Sequence, residues 1–160
     1  MTTMMERRPP AMITTIAVLG FLGLSAVAGG ILLLGPWADD LFPSDWLDLF
    51  PLIDSWLIPG LVLGIGFGLG SLVTACGMFA RLRWSMLRPV ERWTGHHWSW
   101  AATFLLGIGQ VIWIGLELIY MPGQSWLHAL YGGVGIALTL LPFTPQVRRQ
   151  LSVKKVVEAG

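Results

Sequence analysis

The chain has 160 residues, 54% of them hydrophobic and 12% charged, with a net charge of +1. A soluble domain carries about 25% charged residues, so most of this chain must have lipid rather than water as its solvent. Its single cysteine, Cys76, excludes an internal disulfide, a four-cysteine zinc site and Cys-x-x-Cys exchange chemistry, and is expected as a small apolar residue packed in a helix.

A bilayer core about 30 Å thick takes roughly 20 apolar residues as helix. The first such run extends from Ala11 to about Leu34, after Glu6-Arg7-Arg8-Pro9-Pro10, where the prolines stop a helix from extending backwards. Its basic start and Ala26-Val27-Ala28 resemble a signal peptide, but the apolar run continues through Leu34, too long for a signal core. It reads as a retained span.

Residues 35–57 form an outer loop with five aspartates (Asp39, Asp40, Asp45, Asp48 and Asp54) and no basic residue. Within it Ser44 is placed to cap a short helix from Asp45 to Phe50, broken by Pro51. Trp46, Leu47, Leu49 and Phe50 are expected to face lipid, with Asp45 and Asp48 in water as a solvated face, as in an interfacial helix. Asp54 and Ser55 are candidate caps for the second span, which runs from about Ile58 to Ala80.

That span carries two stripes of small residues: Gly60, Gly64 and Gly68, then Gly66, Gly70 and Thr74. Helices in lipid associate through close van der Waals contact, and such stripes admit it. No strand precedes these glycines and no lysine follows, so they are not a nucleotide-binding loop. The loop at 81–97 holds Arg81, Arg83, Arg88 and Arg92 beside Trp84 and Trp93, a composition suited to anionic lipid headgroups rather than nucleic acid. His96 and His97 follow at the membrane boundary, pointing about 100° apart, a poor chelating pair expected to lie in the interface.

The third span covers about Trp98 to Met121 and stops at Pro122-Gly123. Ser125 can cap the fourth, which runs from Trp126 to about Phe143 with Ala129, Gly133 and Ala137 as its small stripe; Ala26 and Gly30 form that of the first. The third and fourth spans make a tight hairpin, and residues 144–160 are a tail.

Cytoplasmic segments carry the excess of Lys and Arg. All 10 basic residues (Arg7 and Arg8, the four loop arginines, then Arg148, Arg149, Lys154 and Lys155) fall on one side of a four-span topology. Tryptophan, which prefers the headgroup level, agrees: Trp37, Trp46, Trp56 and Trp126 lie at the outer boundary, Trp84, Trp93, Trp98 and Trp100 at the inner, and Trp113 in mid-span. The expectation is an all-α integral membrane four-helix bundle, one domain, with a short interfacial helix in the outer loop. It sits in the plasma (inner) membrane with both termini cytoplasmic.

One carboxylate, Glu117, falls inside a span, and an ionisable residue there is a functional hypothesis by default. It lies about 7 Å below the outer end of its helix and His128 about 5 Å down the next, at 1.5 Å per residue. The short turn brings them together, with Tyr131 a turn further along and Tyr120 near the mouth. Gln110 lies two turns below Glu117 with Trp113 between, and Ser25 and Ser71 are placed to join it. These residues make either an outward-opening ligand or proton site or an interhelical bond that locks the hairpin. Nothing in the sequence calls for a metal or another cofactor.

Leu57-Ile58-Pro59-Gly60-Leu61-Val62-Leu63, Trp113-Ile114-Gly115-Leu116-Glu117, Ser125-Trp126-Leu127 and Leu130-Tyr131-Gly132 resemble a family of small actinobacterial membrane proteins with four spans. The resemblance implies that fold and assigns no activity. Three functional expectations follow from the residues. The first is an accessory or scaffolding subunit that associates with membrane lipids and with a second copy or a partner membrane protein. The second is a proton- or cation-coupled carrier using Glu117, and the third a lipophile-binding protein with its pocket at Glu117. Paired acids and a nucleophile–base arrangement are lacking, which speaks against an enzyme.

Overall fold

A computed structural model describes residues 8–49, 53–121, 123 and 125–153. The end of the outer-loop helix at Phe50 and Pro51, the stop at Pro122, and Arg7, Lys154 and Lys155 lie outside these residues. Four helices are long and apolar enough to cross a membrane: Pro10–Leu34, Leu57–Ala80, Trp98–Tyr120 and Trp126–Phe143. Their outer surfaces are apolar, with Leu24, Leu105 and Ile119 each more than 60% exposed, which is tolerable only against lipid. The chain is therefore an all-α, multi-pass membrane protein, and among the described residues it forms no strand beyond one isolated bridge.

Helix α1 (Pro10–Leu34) starts on a proline, whose missing N–H is one that a helix start leaves unpaired anyway. The next amide, Ala11 N–H, donates to Gln146 Oε1 at 3.2 Å. Helix α2 (Leu57–Ala80) opens behind Trp56 without a side-chain cap, so neither Asp54 nor Ser55 serves as one. It widens into a π-helix over Val62–Leu69, the segment that holds Gly64, Gly66 and Gly68. It ends at Arg81, in the left-handed conformation with φ 51°. Helix α3 (Arg88–Thr94) is a short turn in the basic loop that stops at Gly95, φ 68°. Helices α4 (Trp98–Tyr120) and α5 (Trp126–Leu140) form the hairpin, and α6 (Pro145–Leu151) closes the basic end.

The bundle is two tight pairs, α1 on α2 and α4 on α5, joined by α2 against α4 and α1 against α5. Glycine makes each pair close. A Cβ on Gly30 would lie 2.5 Å from Gly64 Cα, and one on Gly68 would lie 2.7 Å from Val27 Cγ2. The stripe at Gly60, Gly64 and Gly68 is thus filled by α1. In the second stripe Gly70 meets Leu106 at 3.6 Å and Thr74 is buried, while Gly66, like Gly133 of the fourth span, meets nothing within 4 Å. In their place Gly107 and Gly135 bring α4 and α5 together, a Cβ on Gly107 lying 2.5 Å from Thr139 N. Cys76 is exposed on the lipid-facing side of α2 rather than packed.

The basic segments gather at one end and tie it together. Arg8 donates to the Phe79 carbonyl at 2.6 Å, capping the last turn of α2, and lies 4.0 Å over the Phe79 ring. Arg81 bonds Gln150 of α6. The bridge between His96 and Ser152 is closed by His97 N–H to Leu151 O at 2.7 Å and Val153 N–H to Gly95 O at 3.0 Å.

His97 is buried at the start of α4. Its Nε2–H donates to Leu82 O at 2.9 Å, and Nδ1 accepts from the Ser99 hydroxyl at 2.8 Å and, more loosely, from Ser99 N–H at 3.4 Å, capping α4. That arrangement requires the neutral ring. Burial pushes its pKa below the ordinary 6.5, with Arg83 and Arg81 acting in the same direction against the Leu82 carbonyl and Glu91. The unfolded chain therefore takes up a proton at this residue before the folded one does. Stability from His97 is present above pH 6.5 and is lost as pH falls below it. Thermal unfolding followed from pH 7 downward is expected to show a falling midpoint, and His97→Gln to flatten that slope while lowering stability at pH 7. A slope unaltered by the substitution would place the titration elsewhere.

Tryptophans divide between two roles. Trp37, Trp84, Trp93 and Trp126 are exposed, as a headgroup belt requires, whereas Trp56 and Trp98 are buried pegs. Trp98 fills space that only a glycine leaves: a Cβ on Gly77 would lie 2.2 Å from its ring.

Candidate functional site

At the end opposite the basic segments, all four spans line a cavity of about 390 Å³. Its wall is mostly apolar, from Leu22 and Ala26 of α1, Pro59 and Leu63 of α2, and Ile114 of α4. The polar groups expected there, Gln110, Trp113, Glu117, His128 and Tyr131, all line it.

The hairpin turn sets the geometry of its polar side. Ser125 begins α5 and accepts from Leu127 N–H at 3.2 Å, while its own N–H donates to His128 Nδ1 at 3.0 Å. This is a capping box with histidine in the place of the usual acid. Since Nδ1 accepts, a neutral ring carries its proton on Nε2. That nitrogen stands 3.7 Å from Glu117 Oε2, with both side chains about one-fifth exposed or less. The other carboxylate oxygen accepts from Trp113 Nε1–H at 2.7 Å. One helical turn separates Trp113 from Glu117, so α4 supplies its own donor and α5 a second group on the opposite side.

The remaining residues take other positions. Tyr131 stacks on Phe21 of α1, ring centroids 6.0 Å apart, and so closes the α1–α5 side. Ser25 lines the cavity but its hydroxyl is bound to its own helix, at Phe21 O and Leu22 O. Ser71 is fully buried with an unpaired hydroxyl and does not line the cavity. Neither serine reaches Gln110, whose Oε1 is buried without a hydrogen-bond partner.

The outer loop supplies what the sequence reading missed. It makes one turn at Ala38–Leu41 and a 3-10 helix at Ser44–Leu49. Trp46 and Leu47 line the cavity, while Leu49, Asp45 and Asp48 are exposed. Trp56 packs behind them against Phe42, and its Nε1–H is buried and unpaired. Thus two residues of the cavity wall, Trp56 and Gln110, each carry an unpaired polar atom, and both atoms are buried away from the open space of the cavity. A buried polar atom left unpaired costs about 1–3 kcal/mol, and the apolar walls give both atoms no partner of their own.

Glu91, also absent from the expected site, is buried at the basic end, where its Oε1 lies 3.4 Å from Trp98 N at the start of α4. Among the described residues no three His, Cys, Asp or Glu side chains come together as a metal site. No protein family, curated protein or solved structure matches the chain.

Proposed function

We propose that this protein lies in a bacterial plasma membrane with both termini cytoplasmic. We further propose that it binds one amphiphilic small molecule, taken from the outer leaflet, in the cavity between its helices. The apolar walls take the body of the ligand. Its polar groups pair with Gln110, Glu117 and His128, which line the cavity. The observation that carries this reading is a cavity of about 390 Å³ whose mostly apolar wall carries Gln110, Glu117 and His128. The sidedness rests on the basic residues at the opposite end, and the resemblance to four-span actinobacterial proteins supports the membrane setting alone.

The scaffold expectation rested on both small-residue stripes of the second span and on the lack of a catalytic constellation. The stripe at 60, 64 and 68 is filled by α1, whereas Gly66 of the second meets nothing within 4 Å. The carrier expectation retains Glu117 but needs a second opening at the basic end, and the groups there are tied by the bonds of His97 and Arg8.

The test is extraction. Protein purified from its native membranes in mild detergent is denatured in organic solvent and the released molecules are weighed by mass spectrometry. One amphiphile, enriched over bulk lipid and near one per chain, is expected. Ser25→Phe fills the cavity without orphaning another residue, because Ser25 bonds only its own helix. The enriched species should vanish from that variant. Identical extracts from both proteins would end the proposal.

A further inference from the structure

Helix α2 ends with an anomaly. Arg81 is the one non-glycine residue in the left-handed conformation among the described residues, at φ 51° and ψ 42°. Helices ordinarily place glycine at this position, because a side chain there is strained. Here the strain holds a guanidinium at a chosen place. Arg81 is pinned by Gln150 of α6 and lines a recess of about 260 Å³ with Arg83, His97, Gln150, Leu151, Ser152 and Val153.

The recess has a consistent chemistry. Two arginines face it and, among the described residues, no acidic one lines it; Glu91 stands to the side, 3.9 Å from His97 Nε2. Arg83 makes no hydrogen bond or ion pair among the described residues. Arg81 gives Gln150 one N–H, and a guanidinium has five. Two guanidinium forks with free N–H groups match the oxygens of a phosphate, which they bind in pairs. The recess lies where α2 ends and α4 begins, beside Trp84, which is exposed and stacks on Trp98. Indole at that level marks the headgroup region.

We propose that this recess is a phosphate-binding site, distinct from the outer cavity, in which Arg81 and Arg83 grip a phosphate group from the basic side of the membrane. Arg88 and Arg92, exposed on α3, do not line it. Its ligand is either the headgroup of an anionic phospholipid or a soluble phosphate compound, which share this chemistry.

Thermal unfolding in dodecyl maltoside distinguishes the two sources. One arm adds inorganic phosphate at matched ionic strength, with chloride as control. The other adds dioleoyl phosphatidic acid, with dioleoyl phosphatidylcholine as control. Saturable stabilisation by inorganic phosphate identifies a soluble ligand, and stabilisation by phosphatidic acid alone identifies a headgroup. Arg81→Gly is the decisive variant, since glycine accepts the left-handed turn and the fold should persist. Its affinity for the responding probe is expected to fall at least about tenfold, as is that of Arg83→Gln, while Arg92→Gln binds as the unaltered protein does. No stabilisation by either probe, or a loss in Arg92→Gln equal to that in Arg83→Gln, overturns the proposal. So does undiminished binding by Arg81→Gly and Arg83→Gln.

Discussion

Gly107→Ala is expected to destabilise the protein by about 1–3 kcal/mol, the usual cost of overpacking, whereas Gly133→Ala, on the facing helix of the same pair, leaves it unchanged or slightly more stable. The added methyl at 107 would lie 2.5 Å from Thr139 N, 2.7 Å from the Leu138 carbonyl carbon and 2.7 Å from Thr139 Oγ1. Two of these are backbone atoms, which cannot rotate aside, so α4 and α5 must separate along their length. Separation forfeits the van der Waals contact that holds helices together in lipid. Gly30→Ala should behave likewise, because its new methyl would meet Gly64 Cα at 2.5 Å. At Gly133 nothing lies within 4 Å, and replacing a helical glycine by alanine gains roughly 0.5–1 kcal/mol. Equilibrium unfolding in dodecyl maltoside–dodecyl sulfate mixed micelles measures the differences. Equal stability of Gly107→Ala and Gly133→Ala would show that these helices are not in the contact described.

Gln110→Leu should move stability and binding in opposite directions. In the ligand-free protein the Gln110 carbonyl is buried and unpaired, so an apolar side chain of similar size removes a penalty of about 1–3 kcal/mol. The empty protein should therefore resist unfolding better. In the complex, a polar group of the ligand that meets the Gln110 amide at the cavity wall is left facing a methyl group and loses its partner. Affinity should fall by roughly 5- to 100-fold, the equivalent of about 1–3 kcal/mol. The same purified variant thus reports twice, by its unfolding midpoint and by how much of the extracted amphiphile it retains. A variant that is less stable than the parent would mean that Oε1 has a partner, such as an ordered water, and that the cavity is built around that instead. One that is more stable and still fully loaded would move the ligand's polar group away from Gln110.

Much of the architecture was legible before any coordinates. Four apolar runs of adequate length placed the spans, which agree with the observed helices to within a few residues. Helical rise and the short turn at Ser125 placed Glu117 beside His128, found 3.7 Å apart. Such features are local sums or local geometry: hydropathy over about 20 residues, or two positions a few residues from one turn.

The rotation of each helix about its axis was not legible. In water an amphipathic stripe declares which face is buried; a span is apolar all round, and lipid accepts its outer face as readily as a neighbour accepts its inner one. Gly60, Gly64 and Gly133 look equivalent in the sequence, yet the first two lie against α1 and the third against nothing. The outer loop was misjudged for a related reason. Trp46 and Leu47 have the composition of lipid-facing residues, and only the packed helices offer them a cavity to line.

By itself, then, the sequence determined that this chain crosses a membrane four times, where it does so, and that its basic residues collect at one end, since these follow from the transfer of residues between water and hydrocarbon. The tertiary structure decided which glycines touch, that Trp56 and Gln110 are left unpaired around one cavity, and that Arg81 and Arg83 share a recess with Gln150 of α6. Each of those depends on how surfaces far apart in the chain fit together, and shape complementarity is a property of pairs of surfaces that no single segment carries.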